Sequence, residues 1–343
     1  MSLTELSYYF RKFLPYFILS GLIFLIIFYS IKLTLIYIEA NKTVTTYTNP
    51  IFGKVSLPEI PISSSSAGLK FTLDTIDGHP VTATDTARVF FLPRYNPRFG
   101  YNEKIYLMAK SFGFNTEIVK HQLVGKIATF TDSEKTLTID ISNFNFKFNR
   151  RIDNSLFSSP NLTIPTKKII ENKAVDFLKK IGRYPEELSK GTTNVIYLRQ
   201  NIINQNYIKV DKSTQAQLVE VDFQRPDIDG YSTVTPRFFN SQNYVIMLFQ
   251  GTDFTILSSQ IAFFEKSDEQ VGTYWIKTGE EAWSELNSGL GFVVAGTQGQ
   301  KNIVITDMKL RYFDPDTYQN YLQPVYVFLG EGNFVGYVPA VKN

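Results

Sequence analysis

The stretch YLQPVYVFLGEGNFVGYVPAV, residues 321–341, decides how the chain is read. Two aromatic-rich apolar runs flank GEGN. On a strand, Tyr326 and Phe328 point to one side and Val325, Val327 and Leu329 to the other. Both sides are apolar. A hairpin of this kind, turning through Gly330, Glu331, Gly332 and Asn333, is expected at the centre of a sheet covered on both faces. Left bare, it would aggregate. The end of the chain therefore completes a sheet.

Working outward, three short helical patterns recur, each ending at a glycine and leading into strands. In NEKIYLMAKSFGF, Ile105, Met108, Ala109 and Phe112 fall on one helix face, and Gly113 stops the run. In TKKIIENKAVDFLKKIG, Ile170, Ala174, Phe177, Leu178 and Ile181 make a similar stripe before Gly182. Lys179 and Lys180 suit its C-terminal end. In TGEEAWSELNSG, Thr278 and Glu281 fit a capping box, and Gly289 can close the helix. Strand-like segments follow each one. An amphipathic helix must bury its apolar face, and an antiparallel sheet offers a surface for it. Ahead of the first helix, LKFTLDT and ARVFFLPR flank IDGHP and predict a further hairpin.

The other end of the chain differs in kind. FLPYFILSGLIFLIIFYSI carries no charge, and LTLIYI extends the apolar stretch past Lys32, so that residues 13–38 predict a single membrane span. A cleaved signal peptide would have a shorter apolar region and a better cleavage site than IEANKT. Arg11 and Lys12 on the short side, against Lys42 beyond, place the N-terminus in the cytoplasm and the rest of the chain outside. Residues 41–68, with Pro50, Pro58, Pro61 and four consecutive serines, read as an extended tether.

Composition narrows the chemistry. The chain has 343 residues, no cysteine and a formal net charge of +3. Disulfides, thiolate metal sites and thiol catalysis are excluded, and nucleic acid is not an expected partner. His79 and His121 are the only histidines, and neither has metal-ligand spacing. VDFQRPDIDG brings Asp222, Asp227, Asp229 and Gly230 together, but Arg225 and Pro226 break the calcium-loop pattern and leave a turn. Glu280 and Glu281 are explained by helix capping. There is no G-x-S-x-G elbow, and the glycines of AGTQGQ and LGEGN read as hairpin turns. In NFNFKFNRR, Phe144, Phe146 and Phe148 share one strand face, and Asn145, Lys147 and Asn149 the other. A stacking platform would look like this, but so does a half-buried strand, and burial is favoured. Asn41 and Asn161 match the glycosylation pattern, which matters only in a eukaryotic host. No catalytic, metal or cofactor residue is assigned.

One membrane helix followed by helix-plus-sheet units resembles the PepSY-like, cystatin-like envelope proteins, and among these the YycI/YycH type. The resemblance is carried by AKSFGF, KTLTIDISNFNFKF, TYWIKTGEEAWSELNSG, KLRYFDPDTYQNYLQPVYVF and FVGYVPAV. It implies an α+β fold of two PepSY-like domains, each an antiparallel sheet packed on short helices. The expected division is a cytoplasmic stub and anchor at 1–40, a linker at 41–68, a first domain at 69–158 and a larger second domain at 159–343. The resemblance implies a non-catalytic, extracytoplasmic regulatory role through contact with an envelope-sensing histidine kinase. The partners expected are membrane lipid along residues 13–38 and an envelope or membrane protein. Two alternatives stand beside this: a wall-acting hydrolase with unidentified carboxylates, and a spacer subunit of an envelope assembly.

Overall fold

In a computed structural model, the described residues are 3–40, 47–60, 64–97, 99–151, 157, 163–201, 206–251, 253–296 and 299–342. They form two units, residues 1–47 and 48–343. The first is helix α1, Leu3–Ala40. Its segment Phe13–Tyr37 is long and apolar enough to cross a membrane, and none of that segment is buried by the protein.

The second unit is mixed α+β with two nine-stranded sheets. Sheet I contains β1 (Ser64–Ser65), β2 (Lys70–Leu73), β3 (Thr86–Phe91), β11 (Thr233–Val234), β14 (Val271–Trp275), β15 (Phe292–Ala295), β16 (Asn302–Phe313), β17 (Tyr321–Gly330) and β18 (Phe334–Pro339). Its spine is β15-β18-β17-β16. Sheet II contains β4 (Gln122–Val124), β5 (Ile127–Thr131), β6 (Lys135–Asp140), β7 (Phe146–Arg150), β8 (Thr192–Asn201), β9 (Asn206–Val210), β10 (Leu218–Gln224), β12 (Tyr244–Gln250) and β13 (Asp253–Ile261). Its order is β4-β5-β6-β7-β13-β12-β10-β8-β9, and every pairing in it is antiparallel.

The closing hairpin is where the alternation puts it. β17 lies between β16 and β18. Tyr326 and Phe328 pack with Phe71, Ala282 and Leu286 beneath helix α5 (Gly279–Asn287), while Val325 and Val327 pack with Ile60, Val234 and Tyr337 on the opposite face. The phenols buried with these strands are satisfied: Tyr326 Oη donates to Lys277 O at 2.7 Å and Tyr337 Oη to Thr235 O at 2.9 Å. Against sheet II lie α2 (Tyr101–Ser111) and α3 (Lys167–Lys180), whose predicted stripes are all in its core. A four-residue helix α4, Glu186–Ser189, follows them. Gly191 then lets β8 start against β10, since a Cβ there would stand 1.8 Å from Gln224 O.

Three expectations are corrected. Residues 69–92 are not a hairpin. β2 runs parallel to β16, whereas β3 pairs with β14 and β17. Residues 74–85 separate the two strands, far more than the turn at Gly78 needs, so each strand finds its own partner.

The described part of 48–68 is no tether. Val55 and Ile60 are buried, and Gln323 Nε2 donates to Ser56 O at 2.9 Å. Ser66 Oγ donates to Leu286 O at 2.8 Å. The prolines keep this segment extended, and its apolar side chains turn it into a strap on sheet I.

Nor do residues 69–158 and 159–343 form separate domains. β7 pairs with β13 through Phe146↔Ile261 and Phe148↔Ser259, which joins both sides of the expected boundary in one sheet and one core. Sheet I is assembled mainly from the two ends of residues 48–343, with sheet II and its helices inserted between them; β11, between β10 and β12 of sheet II in chain order, returns to sheet I beside β16.

Candidate functional site

The two faces of sheet II differ. Strand alternation sends Leu137, Ile139, Phe146, Phe148, Val221 and Val245 into the core with α2 and α3. The residues between them go to the other face and line up across the strands. Register places Thr129, Thr138, Lys147, Gln260, Tyr244, Asp222 and Asn194 in one transverse row. The phenylalanines of FNFKF are therefore core, and its polar residues belong to this row.

Part of the row floors a cleft of about 610 Å³. Thr138, Lys147, Gln260 and Tyr244 line it from the sheet, residues 235–237 and 240–242 from one loop, and residues 316–318 from the β16–β17 connection. The loop is held firmly. Ser241 Oγ donates to Phe223 O at 2.6 Å, Thr235 Oγ1 to Asn240 O at 2.8 Å, and Gln260 Nε2 to Gln242 O at 3.1 Å. Phe238 takes a positive φ of 55° in this loop and packs edge-on against Phe239. On the facing wall, Tyr318 Oη donates to Leu92 O at 2.9 Å and the Arg94 guanidinium sits over its ring.

Two acceptors lining the cleft lack a donor. Gln242 is 7% exposed, and its Nε2 donates to Asp314 O at 3.2 Å. Its Oε1 has no hydrogen-bond partner among the described residues, and neither has Asp316 Oδ1. Two cations are also uncommitted: Lys147 and Arg237 are exposed and meet no carboxylate within 4.0 Å among the described residues. The arrangement offers hydrogen-bond acceptors at depth and positive charge at the rim.

Beside Tyr244, the row continues into a carboxyl pair. Asp222 and Glu220 stand two residues apart on β10 and share a face. Burial, and then the neighbouring Asp222 charge, raise the Glu220 carboxyl; burial likewise raises Asp222. Ser241 N donates to Asp222 Oδ2 at 3.3 Å. Asp222 Oδ1 has no hydrogen-bond partner among the described residues, and protonation of the neighbouring Glu220 would supply a donor. Both carboxyls are biased toward the protonated form behind the cleft loop, and Asp222 is only 1% exposed.

A second charged cluster joins the two sheets. The Arg225 guanidinium is fully buried, stacks on the Phe263 ring at 4.0 Å, and binds Asp314 through Nη2 at 2.9 Å and Nε at 3.0 Å. It also reaches Glu187 and donates to Phe264 O. Arg183 donates to Phe263 O at 2.8 Å, to Asn145 Oδ1 at 2.6 Å and to Glu265 at 3.1 Å. Between them the two arginines fix residues 263–265. Arg225 spends Nε, Nη1 and Nη2 on protein groups and Arg183 spends both Nη atoms, with only the buried Arg183 Nε lacking a partner among the described residues, so the cluster is a joint rather than a site.

The residues weighed from sequence lie elsewhere. His79 is in an exposed turn, and the His121 ring meets Tyr106 edge-on, with Nδ1 3.3 Å from its hydroxyl. Among the described residues no group of three or more His, Asp or Glu is placed to hold a metal ion. Asp229 sits in a turn with φ 56° and pairs with Arg88. Glu281 closes a capping box with Thr278. Asn41 and Asn161 lie outside the described residues. Sequence reasoning missed Gln242, Arg237 and the Glu220–Asp222 pair. Only the spacing E-x-D on one strand face could have signalled the last.

No protein-family model and no curated protein matches the chain. Among solved structures, it is similar to an uncharacterized protein from Eubacterium rectale ATCC 33656, at 12% identity. The match covers 78% of this chain and 84% of that one with a TM-score of 0.31, too low to support an argument about fold or function.

Proposed function

We propose that this chain is a single-pass membrane protein whose residues 48–343 lie outside the cytoplasm and bind a ligand without transforming it. The anchor is α1, oriented by Arg11 and Lys12. The reading that the chain is a relative of the YycI/YycH type, acting on an envelope sensor, draws support from each of α2, α3 and α5 leading into antiparallel strands. The observation that carries the binding role is the cleft itself: a buried Gln242 acceptor without a donor, below two uncommitted cations. Desolvating an acceptor costs about 1–3 kcal/mol if nothing meets it, so such a group implies a partner that does.

The hydrolase alternative has one observation in its favour, the Glu220–Asp222 pair. Glycoside hydrolysis needs two carboxyl groups about 5–10 Å apart, flanking a bond. Here both stand on one strand face, two residues apart, neither lines the cleft, and Asp222 is buried. The pair is therefore assigned to holding the loop.

The natural absence of cysteine allows a clean test. A Ser133→Cys variant, on an exposed turn, should react with a membrane-impermeant maleimide in intact cells; reaction only after lysis would refute the orientation. An Asn240→Cys variant, on the cleft loop, should label more slowly in cells than in purified protein, while Ser133→Cys does not. Equal rates would refute an occupied cleft.

A further inference from the structure

The cleft's chemistry narrows its ligand, and the inference rests on the binding role argued above. We propose that the cleft takes an anionic polyhydroxylated ligand: a saccharide or polyol chain carrying carboxylate or phosphate groups. Three features lead there.

The first is the floor. It is the face of an antiparallel sheet whose backbone groups are consumed in the β6–β7, β7–β13 and β13–β12 ladders. An extended peptide binds chiefly by adding a strand to an open edge. The terminal strands of sheet II are β4 and β9, and neither lines the cleft. Recognition at the floor has to run through side chains.

The second is what those side chains lack. Gln242 Oε1 and Asp316 Oδ1 are acceptors awaiting donors. Hydroxyl groups supply donors, and they accept in turn from amide groups such as those of Asn240 and Gln260. Thr138, Lys147, Gln260 and Tyr244 stand on four adjacent strands, so their polar groups recur about every 4.8 Å. That repeat is close to one sugar ring along an extended chain.

The third is charge. Lys147 and Arg237 both line the cleft without an ion-pair partner among the described residues; of the two carboxylates that line it, Asp140 accepts from Ser142 N at 2.8 Å and Ser142 Oγ at 2.6 Å, and Asp316 stands on the opposite wall. A neutral sugar would leave both cations to water. A ligand bearing carboxylate or phosphate groups gives them charge-assisted bonds, the stronger class of hydrogen bond. The ligand must therefore bring hydroxyl donors and negative charge together.

The test uses the full-length chain in detergent micelles and isothermal titration calorimetry. The probes are a tetragalacturonate, a glycerol phosphate oligomer, an uncharged chito-oligosaccharide of equal length and a hexaglutamate peptide. At least one of the first two should bind, and the one that does identifies carboxylate or phosphate as the source of charge. The neutral sugar should bind at least tenfold more weakly. Lys147→Glu and Arg237→Glu alter exposed residues and should leave the melting curve in place while each weakens the anionic probe at least tenfold.

Failure of both anionic polyols to bind would overturn the proposal, as would binding that both charge reversals leave unchanged. Cleft-dependent binding of hexaglutamate alone would also overturn it, yet would leave the binding role standing. That role is judged separately by the labelling rates of Asn240→Cys.

Discussion

Sheet I and sheet II have equal numbers of strands but opposite faces. In sheet I, β17 is buried on both sides along most of its length, with α5 over one face and the 48–60 strap and β11 segment helping to cover the other. In sheet II, β7 alternates buried and exposed, with helices on one face and the polar row on the other. The difference teaches where function can sit. A sheet covered twice has only core to offer. The second face of sheet II is covered only in part: Ile196, Leu198, Leu218, Ile246, Leu248 and Leu257 form a buried cluster on it, and beside them the polar row stays open as a regular array of side chains walled by loops from both sheets. The proposed binding surface is the polar part of the face that the helices leave free.

The comparison predicts that disturbing sheet I, or the joint between the sheets, costs far more than disturbing the polar face. The largest effect belongs to Arg225→Met. It strands Asp314 and Glu187, two buried or nearly buried carboxylates, and should cost about 3–5 kcal/mol in urea denaturation. Restoring neutrality with a second change, Asp314→Leu, should recover part of that loss. No recovery would mean that the arginine acts through packing on Phe263 and not through charge. Phe328→Ala should cost about 3–5 kcal/mol, because the ring is fully buried beneath Trp283 and leaves a cavity. Lys147→Ala, on β7 of sheet II, should stay within about 0.5 kcal/mol. A comparable loss at both positions would erase the distinction between the sheets.

Much of this was legible in residue order. Alternation in PVYVFLG predicted a strand covered on both faces, and the helical stripes with their glycine stops located α2, α3 and α5. These are local signals, each complete within about a dozen residues. Pairing is not local. Nothing in LKFTLDT says that it will lie parallel to Asn302–Ile305, more than two hundred positions later. Nothing in FNFKFNRR announces β13 as its neighbour, and local pattern alone divides what is one sheet. The proline-rich segment misled for a different reason. Extended backbone is common to tethers and to straps, and only the burial of Val55 and Ile60 tells them apart. The cleft was illegible because its parts come from β6, β7, β12, β13 and two loops, none of which is unusual alone.

The carboxyl pair gives the polar face a pH signature that sheet I should lack. Burial and the Asp222 charge push Glu220 up to about 8 from an ordinary value of 4.5. The folded chain therefore holds this proton more tightly than the unfolded chain does. The resulting stabilisation is complete below about pH 4.5 and is lost as pH rises through about 8. Asp222 is shifted in the same direction and adds to the trend. Glu220→Gln keeps a donor for Asp222 and removes the titration. Relative to the native chain, it should be near neutral in stability at pH 5 and more stable by about 1–3 kcal/mol at pH 8.5. A pH-independent difference would show that Glu220 does not hold this proton. If the cleft loop depends on this pair through Ser241, maleimide labelling of Asn240→Cys should quicken over the same interval by more than that of Ser133→Cys, which reports the rise in thiolate alone.

The smallest effect separates the helices that cover the two sheets. Thr278 caps α5: its Oγ1 accepts from Glu281 N at 3.2 Å, and Glu281 Oε2 accepts from Thr278 N at 2.7 Å. Thr166 occupies the same position on α3 in extended backbone, but its side chain makes no capping bond. Thr278→Ala should cost about 1 kcal/mol, and Thr166→Ala only a few tenths. Equal losses would mean that the threonines act through backbone preference alone. Unequal losses would tie α5 to sheet I by a cap that α3 lacks on sheet II. The cost of Thr278→Ala should then appear in hydrogen exchange of the α5 amides, with those of α3 unmoved.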